Sequence, residues 1–272
     1  MQRFSASPRE CIASVWRHKA LIWNLTKREV VGRYRGSAFG ILWSFFNPIL
    51  MLVIYSFVFS VVFKARWSGG SGSKSEFALV LFAGLIVFNF FAECFNKAPG
   101  LVLANANYVK KVIFPLEILA WVNVFSAMFH ALVGIAVWVV FRILAVGPPP
   151  FTVLLFPMAL LPIGLMILGV SWFLSSLGVF LRDIAQLTAV ATTVLMFLSP
   201  IFFPIEALPE QYRAFLALNP LAPAIEQMRD ILHWGTVPDP RGYLLYLIAS
   251  IAVALLGFGW FQKTRKGFAD VI

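Results

Sequence analysis

The stretch RYRGSAFGILWSFFNPIL, residues 33–50, changes solvent within a few positions: Arg33 and Arg35 belong in water, and from Phe39 onward the chain belongs in oil. Of its 272 residues 60% are hydrophobic and 12% charged, with a mean hydropathy of +0.85, whereas a soluble domain carries about 25% charged residues. The join is therefore a water-to-membrane boundary, and the chain is better counted in membrane crossings than in soluble domains.

A hydrocarbon core of about 30 Å takes roughly 20 residues of helix at 1.5 Å each. Segments 39–63, 77–95, 116–141, 151–180, 187–203 and 243–261 qualify. The predicted fold is an all-α integral membrane protein with six transmembrane helices, and an even number puts both ends on one side. With both ends in the cytoplasm, 15 of the 22 Lys and Arg lie inside and 7 outside, the sense of the positive-inside rule. The net charge of +10 comes from residues that flank apolar segments rather than from one patch, which argues against a nucleic-acid partner.

Inside the first crossing Asn47-Pro48 removes a backbone donor, and the freed carbonyl is expensive in lipid unless protein or a watered path satisfies it. That helix is expected to border a cavity. Trp43, Phe45, Phe46, Tyr55, Phe57, Phe59 and Phe63 crowd it, and Phe197, Phe202 and Phe203 mark the fifth crossing. Such aromatics face lipid as readily as they line a pore.

Upstream, Ser7-Pro8-Arg9-Glu10 has a capping-box arrangement that predicts a helix start. Ile12, Val15, Trp16, Leu21, Ile22 and Trp23 alternate with cations, so residues 1–38 read as an amphipathic segment lying in the headgroup plane, among membrane lipids. It serves equally as a positive-inside anchor or as a partner contact. Gly36 and Gly40, four apart, could bring two helices close.

Residues 65–76, ARWSGGSGSKSE, form a flexible linker without a phosphate-loop frame, and none occurs elsewhere, so any ATP is bound by another chain. Residues 96–112 form a cytoplasmic loop, with a short helix between Pro99 and Lys111 that could dock a soluble subunit. Glu93 and Glu117 flank it and are expected to pair with Lys97, Lys110 or Lys111. In the short loop 181–186, Arg182 and Asp183 point apart and should bond to neighbouring elements. Residues 204–242 lie outside, with short re-entrant helices opening at Pro209 and Pro223. The second should set Ile225, Met228, Ile231 and Leu232 on one face and Glu226, Arg229 and Asp230 on the other, ending at Gly235. Cys11 and Cys94 read as packing residues. His18, His130 and His233 are dispersed, so no metal site is expected, and no nucleophile has a base near it in sequence.

In order, KREVVGRYRGSAFGILWSFFNPIL (27–50), VKKVIFPLEIL (109–119), GVFLRDIAQL (178–187), SPIFFPIEALP (199–209), NPLAPAIEQMRDIL (219–232) and the closing FADVI resemble the membrane subunit of ABC-2 type exporters. The resemblance is to the branch that exports lipid-linked polysaccharide such as O antigen in lipopolysaccharide biosynthesis, and also to capsule and teichoic-acid exporters; Leu181 stands where Phe often precedes Arg-Asp. It implies a permease rather than an enzyme, acting as an inner-membrane homodimer with two separate ATP-binding subunits that hold ATP and Mg, so that this chain carries no cofactor. It implies a two-part chain: an interface segment, 1–38, and a six-helix transmembrane domain, 39–272. The implied channel lining is Trp43, Phe46, Tyr55, Phe57, Phe197 and Phe202. Coupling to the ATPase falls to Asn105, Asn107, Tyr108, Lys110 and Lys111, and a cytoplasmic structural role to Arg33, Arg35, Arg182 and Asp183. A small-molecule or drug exporter of the same type, and a membrane enzyme acting on a lipid-linked substrate, are the alternatives.

Overall fold

The computed structural model describes residues 7–58, 67, 73–109 and 114–272. The helices among them are α1 (Pro8–Arg17), α2 (Lys19–Tyr34), α3 (Trp43–Phe57), α4 (Lys74–Lys97), α5 (Ala106–Val109), α6 (Ile118–Ala145), α7 (Phe156–Phe180), α8 (Ile184–Leu198), α9 (Glu210–Ala217), α10 (Ala222–Arg229), α11 (Pro240–Thr264) and α12 (Phe268–Val271). The described residues contain no strand, and the fold is all-α.

Five helical stretches are long and apolar enough to cross a membrane: Gly40–Phe57, Ser75–Gly100, Ile118–Ala145, Phe151–Phe180 and Pro240–Val271. The expected crossing at 187–203 is the 15-residue α8, which starts earlier and stops at Leu198, where Ser199 turns extended. At 1.5 Å per residue it covers roughly 22 Å, short of a full hydrocarbon core. Phe59 and Phe63 of the first crossing, most of the linker (65, 66 and 68–72), and Lys110 and Lys111 lie outside the described residues.

Side-chain caps set several helix starts. Ser7 accepts from the Glu10 amide as the capping box predicts, with Pro8 opening α1. Ser73 repeats the device for α4 by accepting from the Glu76 amide, and Asp239 caps α11 through the Gly242 amide. The amino-terminal segment is two helices rather than one, broken at His18. α2 buries Ile22 and Leu25 against the start of α6 at Ile118 and Val122. Trp16 and Trp23 stay exposed, as an interfacial segment requires. The Gly36/Gly40 pair does not join helices. Both residues have positive φ, 87° and 51°, and turn the chain between α2 and α3, a conformation that glycine adopts without strain.

α4 is the axis of the bundle: 83% of its spanning window is buried, against 11% for the first crossing. α3 and α8 stand at the rim, and Thr188 is the one residue of α8 that is buried. α7 and α11 cross in near backbone contact. A Cβ on Gly169 would lie 2.3 Å from the Val253 carbonyl oxygen, and one on Gly257 would lie 2.1 Å from the Gly169 carbonyl oxygen. This is small-residue packing that lets helices approach in lipid.

The two ends of the bundle carry separate polar networks. At one, Glu117 accepts from Arg265 (2.6 Å) and Ser14 (3.1 Å), while Arg265 also donates to the Phe114 carbonyl (2.7 Å). The amino-terminal segment, the start of α6 and the carboxyl-terminal tail thus meet on one side. At the other end His233 faces Glu76 at 3.4 Å, and Thr152 donates to the Ile231 carbonyl.

A polar cavity beside the first crossing

α3 runs beside α4 and α6 without closing on them, and the gap is a cavity of about 990 Å³. α3 lines it with Trp43, Ser44, Asn47, Pro48, Met51 and Tyr55. The kink proline therefore borders a cavity, as the cost of its freed carbonyl requires. The opposite wall is α4, with Asn89, Glu93, Asn96 and Lys97, joined by His130 of α6 and Met196 of α8.

At the α2 end the wall is charged and largely paired. Arg33 donates to Glu93 (2.5 Å), whose carboxylate also contacts His130 Nδ1 (2.9 Å), and Tyr34 bonds the other ring nitrogen of His130 (3.0 Å). Burial pushes the Tyr34 hydroxyl above its ordinary pKa. Lys97 pairs with Glu29. Among the described residues Glu93 thus takes Arg33 and His130 and Glu117 takes Arg265, while the expected partner Lys97 goes to Glu29; Lys110 and Lys111 lie outside those residues. Residues from three separate elements, α2, α4 and α6, meet at Glu93, and sequence proximity to lysines could not show it.

Of the six aromatics implied as channel lining, Trp43 and Tyr55 line this cavity. Phe46 touches Trp43, ring centroids 6.0 Å apart, and Phe202 links Tyr55 (6.5 Å) to Phe197 (6.2 Å). Five of the six therefore form two groups, Trp43 with Phe46 and Tyr55 with Phe202 and Phe197. Phe46, Phe57 and Phe197 are exposed on the rim and lie outside this cavity's wall.

The loop after α4 is a series of 3₁₀ turns ending in the four-residue α5, not the single short helix expected. Asn105 donates to the Leu101 carbonyl, and Asn107 is exposed. Tyr108 stacks on Phe114 at 4.1 Å and accepts from Arg28 of α2 at 3.1 Å. This loop and the amino-terminal segment are therefore tied directly. Arg35, Arg182 and Asp183 are exposed, and the side chains of Arg182 and Asp183 bond to no neighbour among the described residues, contrary to expectation.

The largest departure is Arg229. Expected on the polar face of a re-entrant helix, it is fully buried, with its guanidinium donating to the carbonyls of Val80 (3.2 Å) and Ile201 (2.8 Å) and to Glu226 (2.6 Å). It also lies 4.3 Å from the centroid of the Trp67 ring. Burial pulls its pKa down, with Glu226 opposing. Gly84 makes room, since a Cβ there would meet Arg229 Nη2 at 3.2 Å. The apolar face of α10 follows the prediction, with Ile225, Met228, Ile231 and Leu232 buried and Gly235 ending the turn at φ 75°.

Cys11 and Cys94 are free and buried, and burial pushes the Cys11 thiol up to about 11, so neither is a reactive thiol. Among the described residues no group of His, Cys, Asp and Glu could hold a metal.

Several known proteins are similar to this chain along nearly its whole length. The O-antigen export system permease protein RfbA of Klebsiella pneumoniae is 29% identical over 250 residues, 91% of this chain and 93% of its own length. A protein of the same name from Myxococcus xanthus is 23% identical over 263 residues, 96% and 98% of the two chains. The polysialic acid transport protein KpsM of Escherichia coli is 24% identical over 256 residues, 91% and 94% of the two chains. Residues 20–233, from within α2 to the turn after α10, match the ABC-2 type transporter family, and the chain is a member of that family.

Proposed function

We propose that this chain is the membrane conduit of an inner-membrane exporter of lipid-linked polysaccharide, of the O-antigen type, driven by ATP hydrolysis in separate subunits. The observation that carries the reading is the polar cavity beside a proline-containing, aromatic-rich first crossing, in a chain whose relatives over nine-tenths of its length are named as an O-antigen export permease and a polysialic acid transport protein. Flat aromatic faces suit a polymer that must slide, because they give contact without a unique hydrogen-bond lock. A second reading, export of a capsule polymer, is favoured by a 22% identity to the capsule polysaccharide export inner-membrane protein CtrC of Neisseria meningitidis.

The reading extends to the assembly, which exposed apolar surface supports in part. α3 and α8 expose apolar faces, including Phe46, Phe57, Val190, Val194 and Phe197, that fit a second copy of the chain. In that homodimer, Trp43, Phe46, Tyr55, Phe57, Phe197 and Phe202 line the path between protomers. Interface segment 1–38 and transmembrane domain 39–272 divide the work, with both termini cytoplasmic, as the basic-residue bias supports. Loop 96–112 docks an ATP-binding subunit through Asn105, Asn107, Tyr108, Lys110 and Lys111. ATP and Mg bind in that partner, and no nucleic acid is involved. Motion of the loop reaches α2 through the Arg28–Tyr108 bond.

Deleting the gene and measuring surface polysaccharide together with lipid-linked polymer inside the cell tests the reading. Loss outside with accumulation inside, reversed by the intact chain, is expected. An unchanged surface glycan refutes it, and whether the lost polymer is O antigen or capsule separates the two readings.

A further inference from the structure

From residue 77 to residue 91, every residue of α4 is buried except Asn89. That single opening faces the cavity, opposite Asn47 of α3, which is also exposed. Neither side-chain amide has a hydrogen-bond partner among the described residues. An unpartnered amide within the thickness of a membrane is costly unless it meets water or a polar ligand. Seven residues on, and so on the same face about 10 Å closer to the α2 end, Asn96 uses its carbonyl to accept from Thr192 at 2.8 Å and keeps its amide hydrogens free.

Most other polar groups of the wall are already engaged. Arg33, Glu93, His130 and Tyr34 bond one another, Lys97 holds Glu29, and Arg28, the lining cation without a carboxylate partner among the described residues, bonds Tyr108. The free hydrogen-bonding capacity is thus neutral: the amides of α3 and α4 and the hydroxyl of Ser126 on α6. An amide presents one acceptor and two donors, which matches a sugar hydroxyl that both donates and accepts. Trp43 and Tyr55 supply flat rings on the same α3 wall.

We infer that Asn47 and Asn89 bind sugar hydroxyls of the polymer at the inner mouth of the conduit, with Asn96 as the next contact toward the α2 end. The inference rests on the export reading above and adds to it the residues that touch carbohydrate by hydrogen bonds rather than by stacking.

The test uses the deletion host complemented with the intact chain or with Asn89→Leu or Asn47→Leu, which keep the branching at Cγ and remove the amide. Either variant should reach the membrane at normal level and lower surface polymer about tenfold, the scale of one or two lost hydrogen bonds. In parallel, Asn89→Cys should react with a small cationic methanethiosulfonate in membranes from a host that makes no polymer, and be shielded in one that does. Val87→Cys, at a fully buried position outside the cavity wall, should stay unreactive, and native Cys11 and Cys94 are buried. Normal export by both Leu variants, or an unreactive Asn89→Cys, overturns the assignment while leaving the export reading intact. A deletion host with unchanged surface polymer overturns the export reading itself, and the sugar assignment with it.

Discussion

Replacing Arg229 by Met keeps most of its volume and removes a buried cation with three donated hydrogen bonds. The losses are unequal. Val80 lies within α4, where its carbonyl also serves the helix ladder, and Glu226 keeps a side chain 35% exposed and can turn to water. The Ile201 carbonyl sits in the turn after α8 beside a fully buried side chain, so it is the acceptor left stranded. An orphaned buried group costs about 1–3 kcal/mol, and breaking a buried ion pair on one side costs about 3–5 kcal/mol. With Glu226 partly solvated we expect about 3–4 kcal/mol in total, which at roughly 2–4 °C per kcal/mol lowers the melting midpoint by about 10 °C. Glu226→Gln, which leaves the guanidinium in place, should cost about 1 kcal/mol. Thermal unfolding of the purified protein in nanodiscs, followed by tryptophan fluorescence, reads both. An Arg229→Met midpoint within 2 °C of the parent, on the order of 1 kcal/mol or less, would falsify the claim that this arginine clamps α10 to α4.

Three further outcomes are expected. Gly257→Leu places a side chain where a Cβ already meets the Gly169 carbonyl at 2.1 Å, so α7 and α11 must part; the chain should be degraded or cross-link poorly between these helices, whereas Gly259→Leu, with open space around it, should not. Burial holds the His233 pKa below its ordinary 6.5, with Glu76 opposing and Arg142 reinforcing. A base depressed in the fold binds fewer protons folded than unfolded, so its contribution is present above pH 6.5 and lost as pH falls below it; unfolding midpoints should drop on acidification through that range, less so in His233→Gln. Glu117→Gln leaves Arg265, itself buried, without its carboxylate at 2.6 Å, and should destabilise by about 3 kcal/mol in the same nanodisc assay, while Arg17→Gln at the exposed Glu10 pair should change nothing measurable.

The fold was legible because lipid imposes a one-dimensional code. A helix must satisfy its own backbone, so length and hydropathy suffice to mark crossings, and the five long spans and α8 fall within a few residues of where the apolar runs stand. Ser7, Pro8 and Gly235 carry local backbone geometry and were equally readable. What failed was reading closeness from spacing. Gly36 and Gly40 have the four-residue spacing of helix pairing and make a turn, whereas Gly169 and Gly257, 88 positions apart, make the real crossing. No local pattern marks them, because the partner helix decides which glycine matters.

The site was legible at its aromatic edge and hidden at its polar centre, for a related reason. Asn47 announced a cavity because the adjacent proline leaves an unmet carbonyl whatever surrounds it. Asn89 is a single amide in an apolar run, and such a residue is read equally well as a hydrogen bond to a neighbouring helix; Asn123 of α6 does that, donating to the Cys94 carbonyl at 3.0 Å. Only the bundle separates the two asparagines. The same holds for cations: Arg229 and Arg33 look alike as charges near a membrane boundary, yet one is sealed against backbone carbonyls and the other ends in the cavity wall beside Glu93. The chemistry of the cavity beside the first crossing is thus set by which few polar groups the packing leaves unanswered, and the amides of Asn47 and Asn89 are two of them.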